Sequence, residues 1–481
     1  MKLCHIAKSS CHLFFVIAAC SSAFAASTVR YANQYSGNDA GVKISACIGA
    51  LPSGGGTCDA RALVGAQFAH ATLSIDKPVT LLLGRVNLTL FGNPGISLGS
   101  SGIHIQGSGS NVSQLTQGFV DSDIMSNVIG GYCPSGTTEA THILNLEVDH
   151  LKFQGIPGPV SACPNNGVDI LDGSTISVHN NVFTGLREEG ARALNSRNVV
   201  FQRNLAYGIS DGFRFTGVVG GQMLNNTLRD SQLPHSMFQG CFAVDSVNGT
   251  GFPNSSSLLI ANNMTINMVN CQSFLFHDGQ NVVISGNVMQ NSGMGISLGT
   301  YARPDVISRI VVQGNTFQGT CVNASQPSNT GININNNPAP LLGSHIVVTG
   351  NQISNANCGL KADNMAGIVI NYASDVSVTK NTIANSYGNG VLLAVGVTGL
   401  VLQNNNIVNT LPSADALSAG IRELAGGSAS GTVSNDTIQN AAIGMRFDDA
   451  SSPGLMVGSI TTKNVTIPLY MATSASAAIL P

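Results

Sequence analysis

Charged side chains are scarce in this chain, but ten of them fall between Arg187 and Asp230. Charged residues make up only 9% of the 481 residues, so this segment is strongly enriched. Four of the ten are acidic, and three of these, Glu188, Glu189 and Asp211, lie just before predicted strands. Paired carboxyl groups suit glycoside hydrolysis, because one donates a proton while the other acts as base or nucleophile. A polysaccharide lyase instead needs a base together with cations that stabilise the enolate-like charge.

Three short segments in and beside this region share the pattern Gly-x-charged-apolar. They are Gly167-Val-Asp169-Ile, Gly190-Ala-Arg192-Ala and Gly212-Phe-Arg214-Phe. If each is a strand, the third residue faces solvent, and the three form a column with about 5 Å per step. Asp169, Arg192 and Arg214 are therefore candidate substrate-binding residues, since Arg suits carboxylate recognition. Glu189 and Asp211 immediately precede their glycines, so with Glu188 they are the candidate catalytic residues.

Other interpretations of these residues stay open. The column can be a solvated ladder of alternating charge that fixes the strand register without any ligand. His235 is a candidate to close the groove, or an ordinary loop histidine. No cofactor is expected, and no Cys/His set has zinc-like spacing. Calcium is the one open possibility, because oxygen atoms on adjacent coils can converge on it. Its candidate ligands are Asp169, Glu188, Glu189 and Asp211.

A second charged cluster lies near the C-terminus. Arg422-Glu423 and Arg446-Phe-Asp448-Asp449 are predicted at matching positions of successive coils. His277-Asp278 is a further possible acid–base pair, but a structural turn is the favoured interpretation of these two residues.

A five-residue cassette must position these groups: Asn or Asp, any residue, an apolar residue, any residue, then Asn, Gly or Asp. Its ten copies begin at Asn181, Asn204, Asn226, Asn263, Asn287, Asn315, Asn351, Asn381, Asn405 and Asp436. Repeats of this length indicate stacked units that cannot bury their apolar faces alone. Because Asn tolerates left-handed backbone and can bond along a stack, the cassettes are predicted to form a structural turn ladder.

Short alternating strands surround each cassette, as in Val282-Val-Ile-Ser and Gly295-Ile-Ser-Leu298. The predicted fold class is all-β, a right-handed single-stranded parallel β-helix solenoid of roughly eleven to thirteen coils. Residues 41–51 have apolar residues at helical spacing and are predicted to form a short N-terminal capping helix. We expect one β-helix domain over 26–481, with the cap and first coils at 26–142, regular coils at 143–471 and a tail at 472–481.

The opening segment, from Asn38-Asp-Ala-Gly-Val-Lys-Ile to Gly54-Gly-Gly-Thr-Cys-Asp-Ala60, resembles the pectate-lyase-like superfamily when it is taken with the cassettes. The resemblance covers nearly the whole chain after residue 25. It implies the right-handed parallel β-helix and an extended, often acidic, carbohydrate ligand. The activity motifs of polygalacturonases, pectate lyases and alginate epimerases are absent, so no activity follows from it.

The first 25 residues resemble a secretory signal, with Lys2 and Lys8, an apolar stretch, and a cleavage site at Ala23-Phe24-Ala25. An alternative is lipidation at Cys20. Eight cysteines remain after the leader, which favours disulfides. The predicted pairs are Cys47–Cys58 and Cys321–Cys358. No other stretch is long and apolar enough to span a membrane.

Composition limits the partners. The net charge is −3, so no strong field attracts nucleic acid. An exported protein of the secreted, periplasmic or cell-surface space is expected, with an extended polysaccharide as partner. The leading hypothesis is a polysaccharide lyase or glycoside hydrolase on an acidic, uronate-containing polymer. A non-catalytic glycan-binding or surface-interaction β-helix, and a structural repeat protein without a ligand, are the alternatives.

Overall fold

Short parallel strands build this protein into a right-handed β-helix. The computed structural model describes residues 28–118, 127–130, 132–133, 137–138, 143–156, 166–209, 211–230, 240–245, 253–269, 271–299, 307–321, 330–335, 343–412, 418–448, 451–473 and 475–480. Each coil contributes strands to three rows. The row 1 strand comes first in each coil and belongs to a sheet of its own. The short row 2 strand follows it, directly after the cassette corner, and the row 3 strand comes last.

Row 1 has 18 strands. They are Val29–Tyr31, Gly56–Ala60, Val79–Leu83, Ile103–Gly107, Leu144–Asp149, Ser174–His179, Arg197–Gln202, Gln222–Leu224, Ser256–Ala261, Gln280–Ser285, Ser308–Gln313, Gly343–Thr349, Ala373–Thr379, Val397–Thr398, Leu400–Gln403, Gly431–Ser434, Ser451–Val457 and Ser476–Ile479.

Rows 2 and 3 belong to a second sheet of 28 strands. Row 2 contains Gly65–Ala69, Val86–Leu90, Gln114–Gln117, Lys152–Gln154, Val182–Thr184, Leu205–Tyr207, Thr227–Arg229, Met264–Ile266, Val288–Ser292, Thr316–Gly319, Gln352–Ser354, Thr382–Ala384 and Asn406–Val408. Row 3 contains Leu73–Ile75, Ile96–Leu98, Ile129–Gly130, Val168–Leu171, Ala191–Leu194, Phe213–Thr216, Gly240–Asp245, Gln272–Phe276, Met294–Leu298, Ile332–Asn335, Ala366–Asn371, Asn389–Leu393 and Ala419–Glu423. Thr437–Phe447 and Thr461–Met471 run through both rows. Tyr132–Cys133 and Thr137–Thr138 form a separate two-stranded sheet.

Within the part of the chain that the structure describes, rows 2 and 3 each hold fifteen strands, so the coil number exceeds the expected eleven to thirteen. The additional coils lie before Asn181, the first cassette residue. Their row 2 strands begin at Gly65, and no cassette marks their corners in the sequence. The capping helix is confirmed as Ala40–Gly49, and it buries Ile44, Cys47 and Ile48 over the first coils. Asp39 caps it, since its side chain accepts a hydrogen bond from the Val42 backbone N–H at 2.7 Å. A 3-10 helix at Ala32–Gln34 precedes it.

The first residue of every cassette is buried and forms one continuous ladder. In each coil the backbone N–H and the Nδ2 amide both donate to Oδ1 of the next cassette Asn, as at Asn287, where both bonds to Asn315 measure 2.9 Å. Nδ2 also donates to a row 1 carbonyl one coil back, such as that of Ile260. The structural role predicted for the cassettes is confirmed.

Left-handed backbone lies elsewhere in the cassette than predicted. The first Asn does not adopt it; the residue before it and the fifth residue do, as at Asn180, Gly185 and Gly208. This explains why the fifth position is restricted to Asn, Gly or Asp, which tolerate positive φ. Several of these fifth residues form a second, outer ladder, in which Asn291 Nδ2 donates to Asn267 Oδ1 at 2.9 Å.

The core is a column of stacked apolar side chains inside the coils. Phe242 and Phe274 stack with ring centroids 4.9 Å apart, and Phe213 lies 5.6 Å from Phe242. Such offset aromatic pairs stabilise neighbouring coils beyond the apolar area they bury.

The described residues contain three disulfides. Cys47–Cys58 and Cys321–Cys358 were both predicted, and both are confirmed. Cys241–Cys271, with Cα atoms 6.1 Å apart, joins two neighbouring row 3 strands and was not predicted. Within the described ranges, no helix is long and apolar enough to cross a bilayer. The expected signal peptide, Cys20, His235 and Asp449 lie outside the described residues.

Candidate functional site

The three charged residues of the predicted column occupy neighbouring strands of row 3. The register pairs Asp169 with Arg192 and Arg192 with Arg214. Their orientation was predicted correctly, but their exposure was not. Asp169 and Arg192 are only 1% and 7% exposed, so they do not stand on a solvated face. The burial of this column makes its ion pairs stronger than surface pairs, and any unpaired charge there more costly.

Arg192 and Asp169 form a two-point ion pair between adjacent coils. Arg192 Nε donates to Asp169 Oδ1 at 2.9 Å, and Nη2 donates to Oδ2 at 2.7 Å. The Asp169 and Glu189 charges outweigh the effect of burial and raise the pKa of Arg192 above its usual value. Arg192 therefore stays cationic and cannot serve as a general base.

Arg214 lies at the centre of the cluster and contacts three carboxyl groups. Its Nε lies 2.8 Å from Glu189 Oε1, its Nη2 3.2 Å from Asp211 Oδ2, and its Nη1 3.3 Å from Asp245 Oδ2. His277 Nδ1 is 2.7 Å from the other Asp245 oxygen. The ion-paired network thus continues into the next two coils.

His277 and Asp278 each bind a residue of the preceding coil. Asp278 Oδ2 accepts a hydrogen bond from the Ser255 backbone N–H at 2.6 Å, while His277 Nδ1 lies beside Asp245. The alternative prediction, a structural turn, holds for Asp278.

The three predicted catalytic carboxyl groups converge in a buried cluster. Oxygen atoms of Glu188, Glu189 and Asp211 lie within 4.8 Å of one another. Burial raises the pKa of Glu188 to about 9; the charges of Glu189 and Asp211 add to this, and Arg214 opposes it. Glu188 is therefore neutral at physiological pH and shares a hydrogen bond with Asp211. Burial also raises the pKa of Glu189, against the opposing charges of Arg214 and Arg192.

One carboxyl oxygen of this cluster points at no protein donor. Glu189 is 1% exposed, and within the described residues no hydrogen bond reaches its Oε2 atom, which lies 4.0 Å from Arg192 Nη1. A buried oxygen without a donor is costly unless a ligand or solvent molecule satisfies it.

Turn geometry places these carboxyl groups. Each lies directly before a row 3 strand, and the turns of successive coils stack: the Asp211 N–H donates to the Glu188 carbonyl at 3.1 Å. Gly212 follows Asp211 because the chain is too close to its neighbour for a side chain. A Cβ atom there would lie 2.3 Å from the Cys241 carbonyl oxygen.

Two asparagines in the same stacked turns were missed by the sequence prediction. Asn166 Nδ2 and Asn127 Nδ2 each lie 3.3 Å from Asp169 Oδ2, and Asn166 Oδ1 accepts from the Glu189 N–H at 3.0 Å. The sequence does contain a signal for Asn166, since it precedes Gly167 as Glu189 precedes Gly190. A comparison of charged residues alone does not include this uncharged side chain.

The three clustered carboxyl groups could hold a cation between them. The fourth expected calcium ligand does not fit, because both Asp169 oxygens bind Arg192. Arg214 already supplies positive charge to Glu189 and Asp211. Calcium therefore stays an untested prediction for Glu188, Glu189 and Asp211 alone.

The second charged cluster has a different character. Arg422 and Arg446 pair across adjacent strands as predicted, and both bind Asp448, at 2.7 and 2.6 Å. Glu423 points into the core and binds the Ser452 hydroxyl and the Ala429 N–H. Burial raises the pKa of Glu423. Arg422 also lies 2.8 Å from Asp363 Oδ1, so it joins two carboxylates, Asp363 and Asp448. We call Arg422, Arg446, Asp363 and Asp448 the Arg422 cluster.

Comparisons with known proteins support the fold. A sequence family described as a right-handed beta helix region matches residues 308–467. The catalytic unit of a GH87 alpha-1,3-glucanase from Streptomyces thermodiastaticus is similar at 14% identity over 93% of this chain and 70% of its own, with a TM-score of 0.48. A mannuronan C-5 epimerase A-module from Azotobacter vinelandii is similar at 13% identity, 94% and 100% coverage, and a TM-score of 0.44.

A surface protein and adhesin from Streptococcus pneumoniae is similar at 12% identity over 94% of this chain and all of its own, with a TM-score of 0.38. No curated protein sequence matches the chain significantly. Likeness at this level concerns the β-helix fold alone, and the candidate site must be judged on its own geometry.

Proposed function

We propose that this protein is a carbohydrate-active β-helix that hydrolyses glycosidic bonds outside the cytoplasm, at the cluster of Glu188, Glu189 and Asp211. The observation that carries the proposal is the convergence of three buried carboxyl groups within 4.8 Å, with no donor to Glu189 Oε2 among the described residues. Burial that raises the pKa of a carboxyl group, as it does for Glu188, is typical of a general acid. Glu188 would protonate the leaving oxygen, and Glu189 or Asp211 would act as base or nucleophile.

Charge favours hydrolysis over the lyase reaction. A lyase needs spare cations for the enolate-like charge, but Arg192 and Arg214 are already bound by carboxylates. Even with Glu188 neutral, carboxylates outnumber guanidinium groups in the cluster. Such a site favours the positive charge of an oxocarbenium-like transition state. It also favours a neutral glycan over the acidic polymer expected from the resemblance.

Polysaccharide cleavage tests the proposal directly. The purified chain is incubated with neutral and uronate-rich polysaccharides, while reducing ends and unsaturated-uronate absorbance are both followed. We expect new reducing ends without unsaturated-uronate absorbance. The cleavage rate should fall about 100-fold or more in Glu188→Gln and in Asp211→Asn. Asp172→Asn is the matched control, because Asp172 bonds Asn195 rather than the cluster. Addition of EDTA tests the calcium prediction in the same assay.

Two outcomes would contradict hydrolysis at this cluster. Cleavage that survives both substitutions would place the chemistry elsewhere. One unsaturated uronate for every new reducing end would indicate a lyase.

A glycan-binding role is the second candidate, and a specific groove favours it. An open groove of about 420 Å³ on row 2 is lined by Arg85, Lys152, Asn87 and Gln114 among others. Two cations with amide groups can hold an acidic polymer without cleaving it. Absence of cleavage, with binding that is lost in Arg85→Ala and Lys152→Ala, would support this role instead.

A further inference from the structure

Two imidazoles and two carboxyl groups converge on the outer face of row 1. Ile103–Gly107 supplies His104, Leu144–Asp149 supplies Glu147 and Asp149, and Ser174–His179 supplies His179. The register pairs His104 with Glu147 and Asp149 with His179, so the four side chains occupy two adjacent columns. We call this group the His–carboxylate patch.

Ligand atoms of His104, Glu147 and Asp149 lie within 4.8 Å of one another, and His179 contacts two of these three residues. His104 Nε2 lies 2.8 Å from Asp149 Oδ2, and His179 Nε2 lies 2.9 Å from Glu147 Oε1 and 3.8 Å from Asp149 Oδ2. His104 Nδ1 is 3.9 Å from Glu147 Oε2. Bonds of 2.0–2.2 Å in a tetrahedral zinc site hold neighbouring ligand atoms about 3.3 Å apart. At present His104 faces Asp149 with Nε2 and Glu147 with Nδ1, so the Glu147 and His179 side chains must rotate for four ligand atoms to surround one ion.

Neighbouring groups hold the ligands in place. His150 Nδ1 lies 2.8 Å from Asp149 Oδ1, which leaves Oδ2 directed at the two imidazoles. Asn180 Nδ2 donates to His179 Nδ1 at 2.9 Å and so orients the ring with Nε2 facing the patch. Binding of Zn²⁺ through Nε2 requires the Asn180 amide to turn over, so that its oxygen accepts the proton of Nδ1. Support of this kind around metal-binding His and Asp side chains is typical of metal sites.

The patch is also open to ions from solution. The Asp149 side chain is 3% exposed and forms the floor, while those of His104, His179 and Glu147 are 25%, 21% and 44% exposed. A cation could therefore enter without unfolding a coil.

We propose that His104, Glu147, Asp149 and His179 bind a divalent transition-metal ion such as Zn²⁺. Two imidazole nitrogens with two carboxylate oxygens suit Zn²⁺ rather than Ca²⁺, which prefers oxygen ligands throughout. Zinc-like spacing is absent from the sequence because the ligands come from three coils; His104 and Asp149 are 45 residues apart and Glu147 and His179 are 32 apart. The patch lies on a different row from the Glu188 cluster, so the proposal does not depend on hydrolysis.

Calorimetric titration with Zn²⁺ tests the proposal on the chelator-stripped full chain without a polyhistidine tag. We expect one Zn²⁺ per chain, with affinity reduced at least about 10-fold in His104→Ala and in His179→Ala. His345→Ala is the matched control, since His345 is an exposed row 1 histidine 3.6 Å from Asp375. Its affinity for Zn²⁺ should equal that of the wild type.

Co²⁺ provides a second readout, because a four-coordinate nitrogen and oxygen site produces visible absorption that is lost in the same two variants. The proposal is overturned if the wild-type chain takes up no Zn²⁺, or if uptake is equal in the wild type, His104→Ala and His179→Ala. In either case the patch is an ion-pair network only. Far-ultraviolet circular dichroism of each variant verifies that the coils are intact.

Discussion

Glu188 binds its proton more tightly in the folded chain than in the unfolded chain. Its ordinary pKa is 4.5, and burial raises it to about 9. Between pH 4.5 and about pH 9, the folded chain therefore keeps the Glu188 proton that the unfolded chain has lost. The stability that Glu188 contributes is therefore complete below pH 4.5 and is lost as the pH rises towards about 9. A residue that costs stability at neutral pH is expected where function requires it.

Substitution of Glu188 by Gln should separate stability from activity. Gln keeps the shape and the hydrogen-bonding capacity but cannot ionise, so the unfolded state no longer gains by losing a proton. We expect Glu188→Gln to be more stable than the wild type at pH 8, by about 1–3 kcal/mol, and nearly equal to it at pH 4.5. Urea unfolding at both pH values measures this, with Asp172→Asn as control. A Gln variant without a pH-dependent gain would contradict the neutral state of Glu188.

Asp436 ends the buried Asn ladder and shows the same effect on a structural residue. Its Oδ1 accepts two bonds from Asn405, but no donor among the described residues reaches Oδ2. At this position the ladder asparagines donate Nδ2 to a row 1 carbonyl, as Asn405 does to Val378. Burial raises the pKa of Asp436 to about 6 from 3.8, so its contribution to stability is lost as the pH rises through about 6.

Asp436→Asn should therefore stabilise the C-terminal coils at pH 7.5. The new amide can donate as the other ladder amides do, and no buried charge remains. We expect the free energy of unfolding of these coils to rise by about 1–2 kcal/mol at pH 7.5, and this gain should shrink below pH 4. Hydrogen exchange of residues 431–447 at the two pH values measures it. Equal protection in both chains at pH 7.5 would rule out an ionised Asp436 as the weak point.

At the scale of the strand, the sequence predicted direction well and burial poorly. Period-two alternation correctly placed Asp169, Arg192 and Arg214 in one outward column, because it reports which way each side chain points. It carries no information about what lies over that face, so the near-complete burial of Asp169 could not be foreseen. The His–carboxylate patch was missed for a related reason. Its ligands become neighbours only once the coil-to-coil register is known.

The Asn ladder is the element whose loss we expect to weaken the stack most per side chain. Asn287→Ala removes the acceptor for both the backbone N–H and the Nδ2 of Asn263, and it removes the donor for the Ile260 carbonyl; all lie within buried corners. Each buried group left without a partner costs about 1–3 kcal/mol. We expect the free energy of opening of the two adjoining coils to fall by about 3 kcal/mol or more. Hydrogen exchange measures this change. Gln290→Ala, an exposed outward position of the same coil, should change protection little.

Across the whole molecule, each coil contacts mainly the coils before and after it. Strands of one row pair only with their neighbours in the stack, as Gly240–Asp245 pairs with Phe213–Thr216 and Gln272–Phe276. Stability is then a sum of coil and interface contributions rather than one cooperative quantity. The Glu188 cluster, the His–carboxylate patch and the Arg422 cluster also occupy separate heights or rows. Each can therefore be altered with limited effect on the others.

A core substitution tests this one-dimensional organisation. Phe274 is fully buried and stacks on Phe242, so Phe274→Ala leaves a large cavity that costs about 3–5 kcal/mol. In a solenoid the cost should fall on the adjoining coils, because no packing crosses from there to distant ones. We expect faster hydrogen exchange in residues 240–298 and unchanged exchange in residues 366–447. Phe68→Ala, at a 46% exposed position of the first coil, is the control that should affect neither region. Loss of protection along the whole chain would show that the fifteen coils unfold as one unit.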